Sequence, residues 1–212
     1  MARNKRKAVA APIEDRAGRM VALAEELPDE RAELLAASLK AVHALHAAVL
    51  ESDGAAAEDA SDRYDAVIWK LNGGTFFASR DCRNLDAPGH VVERHCAARP
   101  GDVPMWGQVG EFLILVDDIE SVVEVRGDFG LFRAGFDFHA VDPTAPYISE
   151  TGFKSHWDTA SGGRTVDQVA AEAFTQYLRA GRRRLERRYR GRLDLDRKWP
   201  WLAAARVAGI AG

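Results

Sequence analysis

The chain has 212 residues, of which 47% are hydrophobic and 29% charged, a composition that fits one or two globular domains and excludes collagen-like, disulfide-stapled and wholly disordered chains. With 29 basic and 32 acidic residues the formal charge is −3, so no global field points to a nucleic acid or a membrane. Cys82 and Cys96 are too few for a disulfide framework, and the apolar runs at both ends are too short for a signal peptide or a spanning helix, so a soluble, cytoplasmic protein is expected.

The charge is unevenly placed. Residues 1–13 carry 4 basic and no acidic groups, 14–65 carry 5 and 13, 66–160 carry 8 and 14, and 161–212 carry 12 and 5. Basic ends on an acidic body attract an anionic partner in one orientation and repel it in others.

Residues 1–11, with Arg3, Lys5, Arg6 and Lys7, have no hydrophobic period and read as a disordered basic arm. Residues 12–51 read as a helical hairpin: Ile13, Ala17, Met20, Val21, Ala24 and Leu27 recur at helical spacing, Pro28 breaks the pattern, and Leu35, Leu39, Val42, Leu45 and Val49 form a second stripe. That stripe can pack on its hairpin partner, on a sheet, or on a second copy of the chain, which makes a homodimer through these helices one expectation. His43 and His46 lie on the same helix, three apart, and read as polar surface.

Residues 52–63 have a linker composition. Asp65 to Leu71 and Thr75 to Ser79 then read as a β-hairpin through Asn72-Gly73-Gly74, and 80–109 as a long loop with a short strand around Val91 and Val92. Strands follow at Phe112 to Val116, Ile119 to Arg126, Phe129 to Phe132 and Phe136 to Ala140, with turns at Asp117-Asp118 and Gly127-Asp128. Thr165 and Gln168 make a capping box ahead of Val166, Val169, Ala170, Ala173, Phe174, Tyr177 and Leu178, an amphipathic stripe that should cover one sheet face. The fold class is therefore α+β: a central antiparallel sheet with an N-terminal helical hairpin and a C-terminal amphipathic helix, residues 64–212 forming the α+β domain.

The strongest charge feature is Arg182, Arg183, Arg184, Arg187, Arg188, Arg190 and Arg192, read as a basic C-terminal helix with Tyr189 available for stacking. It suits phosphates or the carboxylates of an acidic protein; the competing reading docks it on the chain's own acidic N-terminal helices. Asp137, His139 and Asp142 form D-x-H-x-x-D at a strand end, where Asp137 and His139 share a face. With Glu150 or His156 they offer an alternative function, a metal-dependent hydrolase or nuclease; an outer sheet face with Phe136 and Phe138 turned inward explains the same residues. Cys82, His90, His95 and Cys96 are a zinc inventory in the wrong spacing. Residues 148–157 read as a loop that hydrogen-bonds itself and anchors Phe153 and Trp157 in the core, with no nucleophile elbow around Ser149. P-loop, G-x-G-x-x-G, C-x-x-C and H-E-x-x-H motifs are absent, so no cofactor is expected and binding is expected ahead of catalysis.

The segment Gly135-Phe-Asp-Phe-His-Ala-Val-Asp142 through Ile148-Ser-Glu-Thr-Gly-Phe-Lys-Ser-His156 resembles a stretch found in uncharacterised accessory proteins of plasmids, phages and integrated elements. The resemblance covers about a tenth of the chain and transfers no active site. It implies a small mobile-element protein that binds host defence or nucleic-acid machinery, as an inhibitor or adaptor.

Overall fold

The computed structural model describes residues 13–127, 133–159, 162–190 and 198–204. The basic arm and the expected strand Phe129 to Phe132 lie outside the described residues. Four helices come first: α1 (Ile13–Glu26), α2 (Arg31–Glu51), α3 (Gly54–Leu71) and α4 (Pro88–Cys96). A four-stranded antiparallel meander follows, in the order β1 (Gly110–Val116), β2 (Ile119–Arg126), β3 (Arg133–Ala140) and β4 (Phe153–Thr159). Helix α5 (Val166–Ala180) and the single turn α6 (Arg187–Arg190) complete an α+β fold.

A helix runs through the residues whose composition suggests a linker, and on through the first half of the expected hairpin. Its start is written locally. Ser52 takes a left-handed conformation at φ 60° and ends α2, and Asp53 Oδ1 accepts hydrogen bonds from the Ala55 and Ala56 amides at 3.1 and 3.0 Å. A capping aspartate before three alanines begins a helix, since alanine loses the least entropy on becoming helical. Within α3 the buried Ala57, Ala60, Tyr64, Val67 and Ile68 keep helical spacing. Read as a four-residue apolar block, 66–69 fits a strand equally well; read with the alanines before it, only a helix fits. Asn72-Gly73-Gly74 is a turn, but one that ends a helix, and Thr75 to Ser79 forms no strand.

Helices α1 and α2 do not make the expected hairpin with each other: both pack on α3. Arg16 meets Asp65 at 2.9 Å and Arg19 meets Asp62 at 2.6 Å, fastening α1 across α3. Helix α2 is long and apolar enough by length and composition to cross a membrane. Its apolar character has a packing explanation, because Leu34, Ala41, Val42, Leu45, Ala48 and Val49 are buried against the rest of the chain. The stripe offered above to a second copy is thus largely used within one chain.

Helix α4 replaces the expected loop and short strand over 88–96. Pro88 occupies a first-turn position, where its missing amide is harmless, and Val92 and Cys96 turn inward one turn apart. Gly89 donates to the Ser79 carbonyl at 2.8 Å, and a Cβ there would stand 2.5 Å from Arg80 Cγ, so glycine lets the helix start against the preceding loop.

In the sheet, Asp117 and Asp118 take φ of 48° and 64° in the tight β1–β2 turn. Phe112, Val123, Phe136 and Phe138 face inward, and α5 lies across them with the Phe138 and Phe174 ring centroids 5.4 Å apart. The capping box is present, with Thr165 N–H donating to Gln168 Oε1 at 3.0 Å. Trp106 joins the two halves: its backbone amide donates to His46 Nδ1 of α2 at 3.2 Å, and its indole N–H to the Arg164 carbonyl ahead of α5 at 2.7 Å. One apolar cluster consequently runs from Leu34 and Leu45 through Trp106 to Phe136 and Phe174.

Two outcomes test this packing. Phe174→Ala is expected to destabilise the chain by about 3–5 kcal/mol, and Asp53→Ala by about 1 kcal/mol, both read as lowered midpoints in urea unfolding.

Candidate functional site

The arginine segment does not form one basic helix. Helix α5 stops at Gly181, whose φ of 127° suits only glycine, and Arg182 to Glu186 continue extended along the 147–152 loop. Arg183 donates its amide to the Tyr147 carbonyl at 2.7 Å and accepts from the Tyr147 amide at 2.8 Å; Glu186 N–H donates to the Glu150 carbonyl at 2.9 Å. Leu185 is buried, its side chain lying over Gly152. Three consecutive arginines supply no apolar stripe with which a helix could be held, whereas a strap needs only the one anchor Leu185.

The side chains remain outside. Arg182, Arg183, Arg184, Arg187, Arg188 and Arg190 are exposed and Tyr189 half-exposed; Arg192 lies outside the described residues. Arg182 donates to the Asp117 carbonyl at 3.2 Å, Arg183 stands 3.6 Å from Glu150, Arg188 meets Glu186 at 2.7 Å, and Arg190 donates to the Leu185 carbonyl at 2.9 Å. Arg188 also stacks over Tyr189 at 4.8 Å. Arg184 and Arg187 meet no acceptor among the described residues. These described contacts come from the β1–β2 turn, the 150 loop and the segment itself. None comes from the acidic N-terminal helices, several of whose carboxylates meet Arg16, Arg19, Arg63 and Lys70 instead.

The D-x-H-x-x-D residues divide. Asp137 and His139 do share the outer face of β3, while Phe136 and Phe138 point into the core. Asp142 leaves this group: its Oδ1 accepts from the Thr144 amide and hydroxyl, both at 2.7 Å, at the rim of a cleft of about 400 Å³ lined also by Asp118 and Tyr147. Its place beside Asp137 and His139 is taken by Glu124, which the register of β2 sets directly opposite Asp137. Sequence reasoning missed Glu124 because strand register cannot be read from one strand alone.

Arg126 pairs with Asp137, Lys198 Nζ lies 2.7 Å from Glu124, and His139 Nε2 lies 3.5 Å from Glu124. The His139 imidazole, together with Lys198, holds the Glu124 carboxyl down to about 2, against the opposing effect of its partial burial. Trp199 and Leu202 pack with Val122 and Val141 over the neighbouring part of this face, and the Trp199 and Phe153 rings each stand 5.1 Å from His139.

His156 lies on the opposite face, its Nδ1 2.9 Å from the Tyr177 hydroxyl, and Glu150 faces Arg183, so neither joins Asp137. Residues 153–157 of the expected loop belong instead to β4. The part before it does hydrogen-bond itself, Ser149 Oγ donating to the Phe153 carbonyl at 2.7 Å and accepting from its amide at 3.1 Å. Phe153 and Trp157 are not core anchors: Trp157 is 63% exposed and lies over Gly135. The zinc inventory is not assembled, with Cys82 exposed and Cys96 buried 3.2 Å from Ser38 Oγ. His46 is half-buried and accepts from Trp106; burial, then the neighbouring His43, lowers its pKa.

Residues 19–95 match the family model described as the KlcB N-terminal DNA-binding domain, and residues 109–199 match that described as the KlcB third domain. Two curated relatives, each named Protein KlcB and from Escherichia coli, are 50% identical over 191 residues and 51% identical over 185 residues. The matches cover 90% and 85% of this chain but 41% and 45% of the relatives, so the chain spans less than half the length of the curated relatives it matches. No solved structure matches. The accessory-protein resemblance of residues 135–156 thereby gains a more specific form: the chain is similar, along most of its own length and through two domain models, to KlcB, a plasmid-borne accessory protein.

Proposed function

We propose that this chain is a plasmid accessory protein that binds DNA, with phosphate contacts supplied by the arginine strap over 182–190. The observation that carries the reading is the match of residues 19–95 to a model described as a DNA-binding domain. Electrostatics support a division of labour. The matched residues hold 8 basic and 14 acidic groups, so their overall field repels a phosphate backbone and contacts there must be local. Arg80, Arg83 and Arg94, before and within α4, are the concentrated positive groups of that part. Elsewhere the densest positive charge lies in the strap and in the basic arm, where Arg3, Lys5, Arg6 and Lys7 have no acidic neighbour before Glu14.

Guanidinium forks suit phosphate oxygens because they are planar, permanently charged and weakly hydrated. Arg184 and Arg187, with no partner among the described residues, exchange none of the described bonds when they meet a phosphate, and the exposed pairs of Arg183 and Arg188 are cheaply exchanged. The acidic helices then fix which side approaches. A cytoplasmic location belongs to this reading, since that is where plasmid DNA is. An acidic protein of the host machinery would engage the same forks and is distinguished by the test.

Fluorescence anisotropy with duplex DNA between 50 and 200 mM salt decides. The wild-type affinity is expected to fall steeply with salt, and Arg184→Ala, Arg187→Ala and Arg188→Ala combined are expected to flatten the log–log slope by about 2–3, roughly 0.9 per phosphate contact. No binding to any duplex at the lowest salt overturns the DNA reading. An unchanged slope in the triple variant overturns the role of the strap.

A further inference from the structure

We propose that Glu124, Asp137 and His139 bind a divalent transition-metal ion on the outer face of the sheet. One donor atom from each lies within 4.8 Å of the others. Donors about 2.1 Å from a common ion stand roughly 3.0–4.2 Å apart, so side-chain adjustments of under about an ångström close the group. Backbone register holds two of the three in place: Glu124 and Asp137 are Cα partners across β2 and β3, and His139 follows Asp137 on the same face.

A second observation points to a ligand. Asp137 has a side chain only 8% exposed, and its Oδ2 is held by Arg126; its Oδ1 is buried with no hydrogen-bond partner among the described residues. A carboxylate oxygen in that condition is expensive, and native proteins satisfy almost all such atoms. His139 Nε2 is likewise buried and, apart from the long 3.5 Å approach to Glu124 Oε2, has no hydrogen-bond partner among the described residues. An imidazolium paired with Glu124 would account for His139 but would leave Asp137 Oδ1 unsatisfied; an ion accounts for both.

The cations nearby do not fill the position. Arg126 holds Asp137 Oδ2, and Lys198 holds Glu124 Oε1, while Glu124 Oε2 is the oxygen 3.5 Å from His139 Nε2. Each carboxylate thus has one oxygen on a cation and the other available. The two cations act as outer partners that orient the carboxylates, as hydrogen-bonded groups behind metal ligands do. The flanking Trp199 and Phe153 rings pack against the imidazole and restrict its rotation. One nitrogen and two carboxylate oxygens suit zinc, manganese or iron(II) better than calcium, which takes oxygen alone.

The test uses the full chain, stripped with a chelator, dialysed, and titrated with Zn²⁺ by calorimetry and with Co²⁺ by visible absorption. One ion per chain is expected, with a rise in melting temperature. His139→Gln and Asp137→Asn should each weaken binding at least 10-fold, while the exposed His95→Gln leaves it unchanged. Glu124→Gln, nearly isosteric and half-buried, keeps the test readable if Asp137→Asn fails to fold, as circular dichroism will show. A folded wild-type chain that binds no ion at micromolar concentration overturns the proposal, as does binding that survives both His139→Gln and Glu124→Gln.

Discussion

The arrangement depends on one apolar core shared by the helical and sheet parts of the chain, with Trp106 at the crossing. Its indole and its amide both donate out of this position, to the carbonyl ahead of α5 and to His46 on α2, so that a bulky ring is fixed by two polar contacts. Buried Trp needs a partner for its N–H, and here the partner lies on the far side of the join. Segments that match separate domain models therefore do not have separate interiors. Loosening α5 exposes apolar surface belonging to α2, and stability should be lost in one transition.

The two faces of the sheet are built on opposite terms. The inner face is aromatic and aliphatic and needs only volume to be filled. The outer face carries Glu124, Asp137 and His139 beside Val122, and part of it is closed by Trp199 and Leu202. Burying carboxylates is tolerated there because Arg126 and Lys198 stand within ion-pair distance, and removing one partner from such a group costs more than the pair contributes. Residues 198–202 thus contribute both an apolar cover and a charge to a site formed by strands far earlier in the chain.

What could be read from the sequence is what local physics decides. The bounds of β2, the inward direction of Phe136 and Phe138, and the capping box of α5 all follow from alternation or from a short-range cap. Helix α3 was hidden because glycine, alanine and acidic residues resemble a linker until Asp53 is recognised as a cap. Helix α4 was hidden by its length of nine residues, which leaves only Val92 and Cys96 to show a period. β4 was masked by its polar side chains: Lys154, His156 and Asp158 occupy alternate positions where an apolar stripe would be expected. Glu124 needed register, and the shape of the arginine segment needed Tyr147, more than thirty residues away, to hold it extended.

The bridge between Tyr147 and Arg183 has a consequence for recognition. Both main-chain groups of Arg183 are already used, and Leu185 is seated two residues later, so the extended part of the strap, Arg182 to Glu186, is fastened along its length. Only the long side chains can adapt, and little chain entropy remains to be lost on complex formation. On the proposed reading, matching Arg182, Arg183 and Arg184 would then fall mainly to the other molecule, whose negative groups would have to meet side chains set at the pitch of an extended backbone.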